Sequence, residues 1–391
     1  MSLSFSAPSL AIFCKVIDNY GDIGICWRLA RQLCHEHALA VTLWVDDLVS
    51  FRRICPEVDP AAVQQVIQGV TVRHWQDQDG QFDARDIPDV VIEFFGCELP
   101  PDYQRAMAAR TPRPVWLNYE GLTAEDWVEG CHRLPSMHPR LPLTKHFYFP
   151  GFNARTGGLL HEAGLDARRR AFQQDGAAVT DFLARFGVSA AEAAGRKVSL
   201  FCYLDAPVTA LFDTWRGGAT PTLCLVPEGV APGQVGAFLG AAPVAGASAT
   251  RGSLTVRVLP FLPQAEYDLL LWACDVNFVR GEDSWVRAQW AARPFVWHIY
   301  PQDENLHHKK LRAFLALYAR GAPALTAYML GWNGAQPMDD HRAAWNALDA
   351  TLPDIAAQAD GWRQTVLAQG DLVTQLLDFV RDLRFAQENS V

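Results

Sequence analysis

Ile12-Phe-Cys-Lys-Val-Ile-Asp-Asn-Tyr-Gly-Asp-Ile-Gly-Ile-Cys-Trp-Arg28 is the stretch that decides the fold. The apolar run Leu10 to Ile17 predicts a buried strand, and Asp18 to Gly24 predict a glycine-punctuated turn. Ile25, Cys26, Leu29, Ala30, Leu33 and Cys34 then recur at helical spacing. Strand, glycine turn and helix are the opening unit of an open α/β sheet, whose ligands bind beyond the carboxyl ends of the strands. Asp18 and Asp22 therefore stand at a ligand-binding edge, where a carboxylate can orient or deprotonate a nucleophile. A plainer role is also open to them, since turn aspartates satisfy local backbone N–H groups. Their strand-end position favours the functional role.

Outward from this stretch, the first half alternates strand and helix. Ala40 to Val45, Thr71 to Trp75, Val90 to Phe95 and Pro114 to Tyr119 are apolar runs suited to parallel strands buried on both faces. Leu134 to Gly158 is rich in proline, histidine, aromatics and glycine, which predicts an irregular surface. A second alternating series begins at Lys197, with strands expected at Val198 to Tyr203, Thr222 to Val226, Thr255 to Leu259, Val276 to Val279 and Phe295 to Ile299. Helices are expected at Glu266 to Ala273 and Ser284 to Ala292, and a small-residue loop at Ala245 to Ser253. The 391 residues exceed a usual single core. The expectation is an α/β protein with two Rossmann-like domains facing each other across a cleft, residues 1–185 and 186–370. The tail shows one apolar helical face at Leu372, Val373, Leu376, Leu377, Val380 and Leu383, so a helix within 371–391 is expected to pack back on the first domain.

Composition removes several classes. Half the residues are hydrophobic and a fifth charged, as in ordinary globular enzymes. A net charge of -9 argues against a protein built to hold nucleic-acid phosphates. No apolar run approaches the roughly 20 residues of a membrane span. Met1 to Ser9 lacks the features of a signal peptide. Nine cysteines without any C-x-x-C spacing predict buried free thiols, and the chain reads as cytoplasmic.

The second informative stretch is Phe278-Val-Arg-Gly-Glu-Asp-Ser-Trp-Val-Arg-Ala-Gln-Trp-Ala-Ala-Arg-Pro-Phe-Val-Trp-His-Ile-Tyr-Pro-Gln302. A strand ends at Val279, and Asp283 or Ser284 is expected to cap the next helix. Free N–H groups at that helix start, with Arg280 beside them, suit a diphosphate. Glu282 and Asp283 would repel phosphate, so they suit sugar hydroxyls or capping. A solvated turn fits the spacing equally well. Phe201, Tyr203, Phe261 and Gln264 follow strands of the second series, where aromatics could stack on a nucleobase, though core packing is their commoner use. Asp77-Gln-Asp79 matches the Asp-x-Asp of metal-dependent sugar transferases but sits in a polar loop, and His307-His308 precede two lysines as a solvated helix start would. Walker, Gly-x-Gly-x-x-Gly and Gly-x-Ser-x-Gly patterns are absent from the sequence.

The turn Asp18-Asn-Tyr-Gly-Asp-Ile-Gly24, with Arg280-Gly-Glu-Asp-Ser284 and Pro294-Phe-Val-Trp-His-Ile-Tyr-Pro-Gln302, closely resembles the EarP family of protein-arginine rhamnosyltransferases, over essentially the whole chain. The resemblance implies a GT-B architecture and inverting transfer of rhamnose from TDP-β-L-rhamnose to an arginine of translation elongation factor P, with no metal and no cofactor. It implies Asp22 as general base and Asp18 as a holder of the acceptor arginine. On the donor it implies Asn19, Tyr20, Gly21, Phe201, Tyr203, Phe261, Gln264, Arg280, Glu282, Asp283, Ser284 and Tyr300. Competing readings are another GT-B nucleotide-sugar enzyme (a lipid-acceptor transferase or an epimerase) and a non-catalytic binding protein. A lipid acceptor would favour a basic membrane-facing patch, which the sequence does not clearly show. The Asp18/Asp22 pair argues against a mere binder.

Overall fold

Apolar runs too long for one buried face become the strands of two parallel sheets in the computed structural model, which describes residues 8–18, 20–76 and 82–389. Asn19, the 77–81 segment with its Asp-x-Asp pattern, and residues 1–7 and 390–391 lie outside the described residues. By packing the chain forms two units, 1–163 with 366–391, and 164–365.

The first unit contains β1 (Ser9–Cys14), β2 (Ala40–Val45), β3 (Gln64–Ile67), β4 (Val70–His74), β5 (Val90–Phe94), β6 (Val115–Tyr119), β7 (Pro135–Met137) and β8 (Thr144–Tyr148). They form one sheet in the order β3-β4-β2-β1-β5-β6-β8-β7. The six inner strands are parallel, and β3 and β7 close the edges antiparallel. Counting parallel strands alone, the order is that of the Rossmann fold, with the topological switch between β1 and β5. β5 and β6 are buried at every position, as strands covered on both faces must be. Leu134 to Gly158, expected to be irregular, holds β7 and β8. Edge and near-edge strands need no continuous apolar run, so their sequence carries no such signal.

The terminal helix Leu372–Glu388 belongs to this unit. Phe379 stacks 6.3 Å from Tyr148 and meets His146 edge-on at 5.7 Å. Asp371 caps the helix through the Thr374 N–H and accepts from Gln32 Nε2 and the His161 N–H, tying its start to the helix Gly21–His37. A Cβ on Gly158 would lie 2.4 Å from the Gly370 carbonyl, so the two segments meet only because glycine stands there.

The second unit contains β9 (Arg196–Leu200), β10 (Thr222–Pro227), β11 (Ser248–Arg251), β12 (Leu254–Leu259), β13 (Val276–Arg280) and β14 (Phe295–His298). Their order is β11-β12-β10-β9-β13-β14, parallel except for the edge strand β11, which occupies the expected loop 245–253. Its switch point lies between β9 and β13. The expected boundary at 185/186 differs from the break after Ala163. The helices Leu165–Gln174 and Gly176–Ala184 bury Phe182 and Leu183, and pack a half-buried Phe172, in the cluster that holds Leu223, Leu225 and Leu259, which makes them part of the second core. Among the described residues no helix is long and apolar enough to cross a membrane.

Arg287, on the helix Asp283–Ala291, and Asp268 form a buried two-pronged pair, with Nε 2.9 Å from Oδ1 and Nη2 2.7 Å from Oδ2. Arg287→Ala takes both prongs of this pair away from a buried carboxylate and should cost roughly 3–5 kcal/mol. Urea unfolding of the second unit should show this as a lower midpoint, and an unchanged midpoint would mean the pair is not structural.

Candidate functional site

The carboxyl end of β1 is built around backbone N–H groups that run out of ladder partners. Pairing with β2 stops at Cys14↔Val45. The expected strand through Ile17 is therefore three residues too long, because side chains take over its hydrogen bonding. The Val16 N–H donates to Asp46 Oδ1 at 2.8 Å, and the Ile17 and Asp18 N–H groups both donate to Asp22 Oδ2, at 2.8 and 2.9 Å. The Gly21 N–H closes the turn on the Asp18 carbonyl at 2.7 Å, and the helix Gly21–His37 begins there. Asp22 is thus both the turn aspartate of the plain reading and a carboxylate fixed at a switch point.

Asp22 is 5% exposed, and burial raises its pKa above the ordinary aspartate value. Its two N–H bonds pull the other way, while nearby Asp18 and Asp46 raise it further. Asp46 is also raised, first by burial. The Cys14 and Cys26 thiols are buried and held neutral, their pKa values pushed up by that burial. Both N–H bonds fall on Oδ2, and among the described residues Oδ1 of Asp22 accepts none. An oriented carboxylate with a raised pKa is suited to accept a proton.

The switch point of the second unit has opposite character. Arg280 ends β13, and its guanidinium lies 4.5 Å from the Phe201 ring centroid and 4.7 Å from that of Tyr203, both just beyond β9. Nη1 donates to the Cys202 carbonyl at 3.4 Å. Phe261 stands 6.4 Å from Phe201, and Tyr267 5.8 Å from it. Tyr300 meets Tyr203 edge-on at 5.7 Å. Gln264 Nε2 donates to Asp283 Oδ2 at 3.3 Å. The result is an aromatic shelf carrying a cation beside the start of the helix Asp283–Ala291, whose first N–H groups favour an anion.

Capping differs from expectation. Glu282 is the N-cap residue, and its side chain makes no capping bond. The Ser284 hydroxyl accepts from the Arg280 N–H at 2.9 Å and donates to the Arg280 carbonyl at 2.5 Å. It stitches strand end to helix start, which holds Arg280 in place.

The expected residues therefore gather in two places. Phe201, Tyr203, Phe261, Gln264, Arg280, Glu282, Asp283, Ser284 and Tyr300 collect at the second unit's switch point. Asp18, Tyr20, Gly21 and Asp22 belong to the first unit's corner; Asn19 lies outside the described residues. Two participants were missed. Asp46 directly follows the apolar run Ala40–Val45 but resembles any loop aspartate. His298, inside the quoted second stretch, is 3% exposed and accepts the Tyr203 N–H on Nδ1 at 3.2 Å. Burial pushes its pKa down to about 4, so it is neutral, with its proton on Nε2, 3.6 Å from Asp205 Oδ1. Among the described residues, no cluster of three or more His, Cys, Asp or Glu is placed to hold a metal ion.

Two Rossmann-like units of this kind are the GT-B fold of glycosyltransferases, which the chain shares with solved structures. Residues 10–381 match the family described as Elongation-Factor P (EF-P) rhamnosyltransferase EarP. The chain is 49% identical over 378 residues to the protein-arginine rhamnosyltransferase of Pseudomonas putida, covering 95% of this chain and 98% of that one. It is 46% identical to the protein of the same name from Pseudomonas aeruginosa, over 95% and 98% of the two chains. A solved structure concerned with EarP-mediated arginine glycosylation of translation elongation factor EF-P matches with a TM-score of 0.66 at 35% identity, covering 96% of this chain and 99% of that one. The chain belongs to the EarP family and is an enzyme of the protein-arginine rhamnosyltransferase type.

A Cβ on Gly21 would sit 2.9 Å from Asp18 Oδ2. Gly21→Ala should therefore displace the Asp18 carboxylate while favouring the helix by up to about 1 kcal/mol. We expect an equal or higher melting temperature together with strongly reduced transfer. Wild-type turnover in this variant would remove Asp18 from the site.

Proposed function

We propose that this enzyme transfers rhamnose from TDP-β-L-rhamnose to an arginine side chain of elongation factor P, with inversion at the anomeric carbon and Asp22 as general base. The observation that carries this reading is the Asp22 carboxylate, fixed on Oδ2 by two backbone N–H groups and raised in pKa at the β1 switch point. The acceptor comes from the EarP structure concerned with EF-P, and the donor and its stereochemistry from the family resemblance.

An arginine guanidinium is a poor nucleophile while protonated and delocalised. One carboxylate must therefore hold the planar cation while another takes a proton from the attacking nitrogen. In the proposed reaction Asp18 does the first and Asp22 the second. The C–N bond forms at the anomeric carbon as the C–O bond to the diphosphate breaks; the electron pair leaves with TDP, and the proton goes to Asp22. The sugar passes through an oxocarbenium-like state, as in glycoside hydrolysis. Charge building on the leaving diphosphate is met by Arg280 and the N–H groups at the start of the helix Asp283–Ala291. The shelf of Phe201, Tyr203 and Phe261 takes the nucleoside, with Gln264 and Asp283 on its polar edge.

Incubating the enzyme with TDP-β-L-rhamnose and elongation factor P should add one deoxyhexose to one arginine, read by mass spectrometry; no addition with any TDP-sugar would overturn the proposal. Asp22→Asn should lower kcat by roughly 10²–10⁴-fold, with TDP affinity retained in calorimetry. Because burial holds the Asp22 pKa above its unfolded value, ionising it opposes folding, and that cost appears as pH rises from the ordinary aspartate range through the raised value. Asp22→Asn keeps an oxygen for both N–H groups, so its melting temperature at neutral pH should equal or exceed wild type. Arg280→Ala should weaken TDP binding by roughly 1.5–3 kcal/mol; unchanged affinity would take Arg280 out of the nucleotide site.

A further inference from the structure

We propose that Asp46 is a positioning residue of the acid corner, holding through the Val16 N–H the segment that presents the Ile17 and Asp18 N–H groups to Asp22. The inference rests on the reading of Asp22 as the base.

Three successive N–H groups are fastened by two carboxylates, and those carboxylates come from different elements. Asp22 stands in the first turn of the helix Gly21–His37. Asp46 stands directly after β2, where the Val45 carbonyl still accepts the Trp75 N–H at 2.7 Å and the Asp46 carbonyl lies 3.1 Å from His74 Nε2. Asp46 is therefore bound to the sheet on its far side, and its carboxylate adds one hydrogen bond beyond the last ladder pair, Cys14↔Val45. Asp47 next to it caps the helix Leu48–Ile54 by accepting the Val49 and Ser50 N–H groups, so the backbone on both sides of Asp46 is anchored. Lys15 to Asp18 pairs with no strand. These three side-chain bonds, with the Gly21 N–H on the Asp18 carbonyl, hold its path between the sheet and the helix. Loss of the Val16 bond frees the segment on the strand side while Asp22 still grips it on the other. The consequence is a shift of the Asp18 and Asp22 carboxylates, and a misplacement of about 1 Å costs roughly 10²-fold in rate.

Charge provides a second readout. The groups acting on Asp22 are Asp18 and Asp46, with the neutral Cys14 and Cys26 thiols nearby and the N-terminus of its own helix. Asp46 raises the Asp22 pKa. A base works only when deprotonated, so the acidic limb of the pH–kcat profile marks that pKa, and neutralising Asp46 must move the limb to lower pH.

The test compares Asp46→Ala with Asp46→Asn in the full-length enzyme. Asp46→Ala should lower kcat at neutral pH by roughly 10²-fold, with KM for the donor unchanged, and should speed amide exchange in residues 15–18. Asp46→Asn, which keeps an oxygen for the Val16 N–H, should restore most of that kcat and show the limb displaced to lower pH. A normal kcat, limb and exchange rate in Asp46→Ala would overturn the inference. So would equal loss in both variants together with lowered melting temperatures, the mark of a purely structural residue. Asp22→Asn, run alongside, separates the two levels. If it stays active, the reading of the base fails; if it is inactive while both Asp46 variants behave as wild type, only the role of Asp46 fails.

Discussion

Capture of three consecutive N–H groups by two carboxylates is the constraint on which the first unit's chemistry depends. In a dinucleotide-binding Rossmann fold, the turn after the first strand offers its N–H groups to phosphate. Here the Val16, Ile17 and Asp18 N–H groups are already bonded to Asp46 and Asp22. The same topology that elsewhere attracts an anion thereby becomes a buried acidic corner, with Asp18 folded over Gly21 beside it. Such a corner repels a diphosphate and favours a cation. A guanidinium has that charge and a planar face for two oxygens.

The second unit repeats the topology with the opposite sign. Its switch point presents Arg280 laid across Phe201 and Tyr203, the start of the helix Asp283–Ala291, and a neutral histidine bonded to the Tyr203 N–H. His298 must stay neutral to accept the Tyr203 N–H, and burial keeps it so. Ser284 locks the Arg280 backbone from the helix side. One fold, used twice, is specialised by which atoms occupy its strand-end N–H groups: carboxylates of the chain itself in the first unit, none of comparable charge in the second. The enzyme class and family follow from the sequence matches, while the proposed division of labour between the two corners rests on this electrostatic asymmetry.

Much of this was legible in the sequence, for identifiable reasons. Parallel strands are buried on both faces and leave apolar runs, so β1, β2, β4, β5, β6 and the inner strands of the second sheet could be read directly. The edge strands β3, β7 and β11 have one neighbour and mixed composition, and they could not. Asp22 and Arg280 announced themselves by standing at strand ends within glycine turns. Asp46 and His298 act through backbone N–H groups of residues 30 and 95 positions away, a relation no local pattern encodes. The helices after Gly164 read as the tail of the first domain because they precede the second strand series. Only the packing of Phe172 and Phe182 on the second core assigns them otherwise.

The central claim is that the nucleotide is refused by the first unit's acidic corner and taken by the second unit's corner, where Arg280 lies on Phe201 and Tyr203. Hydrogen exchange with and without TDP measures this directly. The account predicts slowed exchange in residues 201–205 and 280–286, with residues 15–22 unchanged. Slowed exchange at 15–22, with the second unit unaffected, would contradict it.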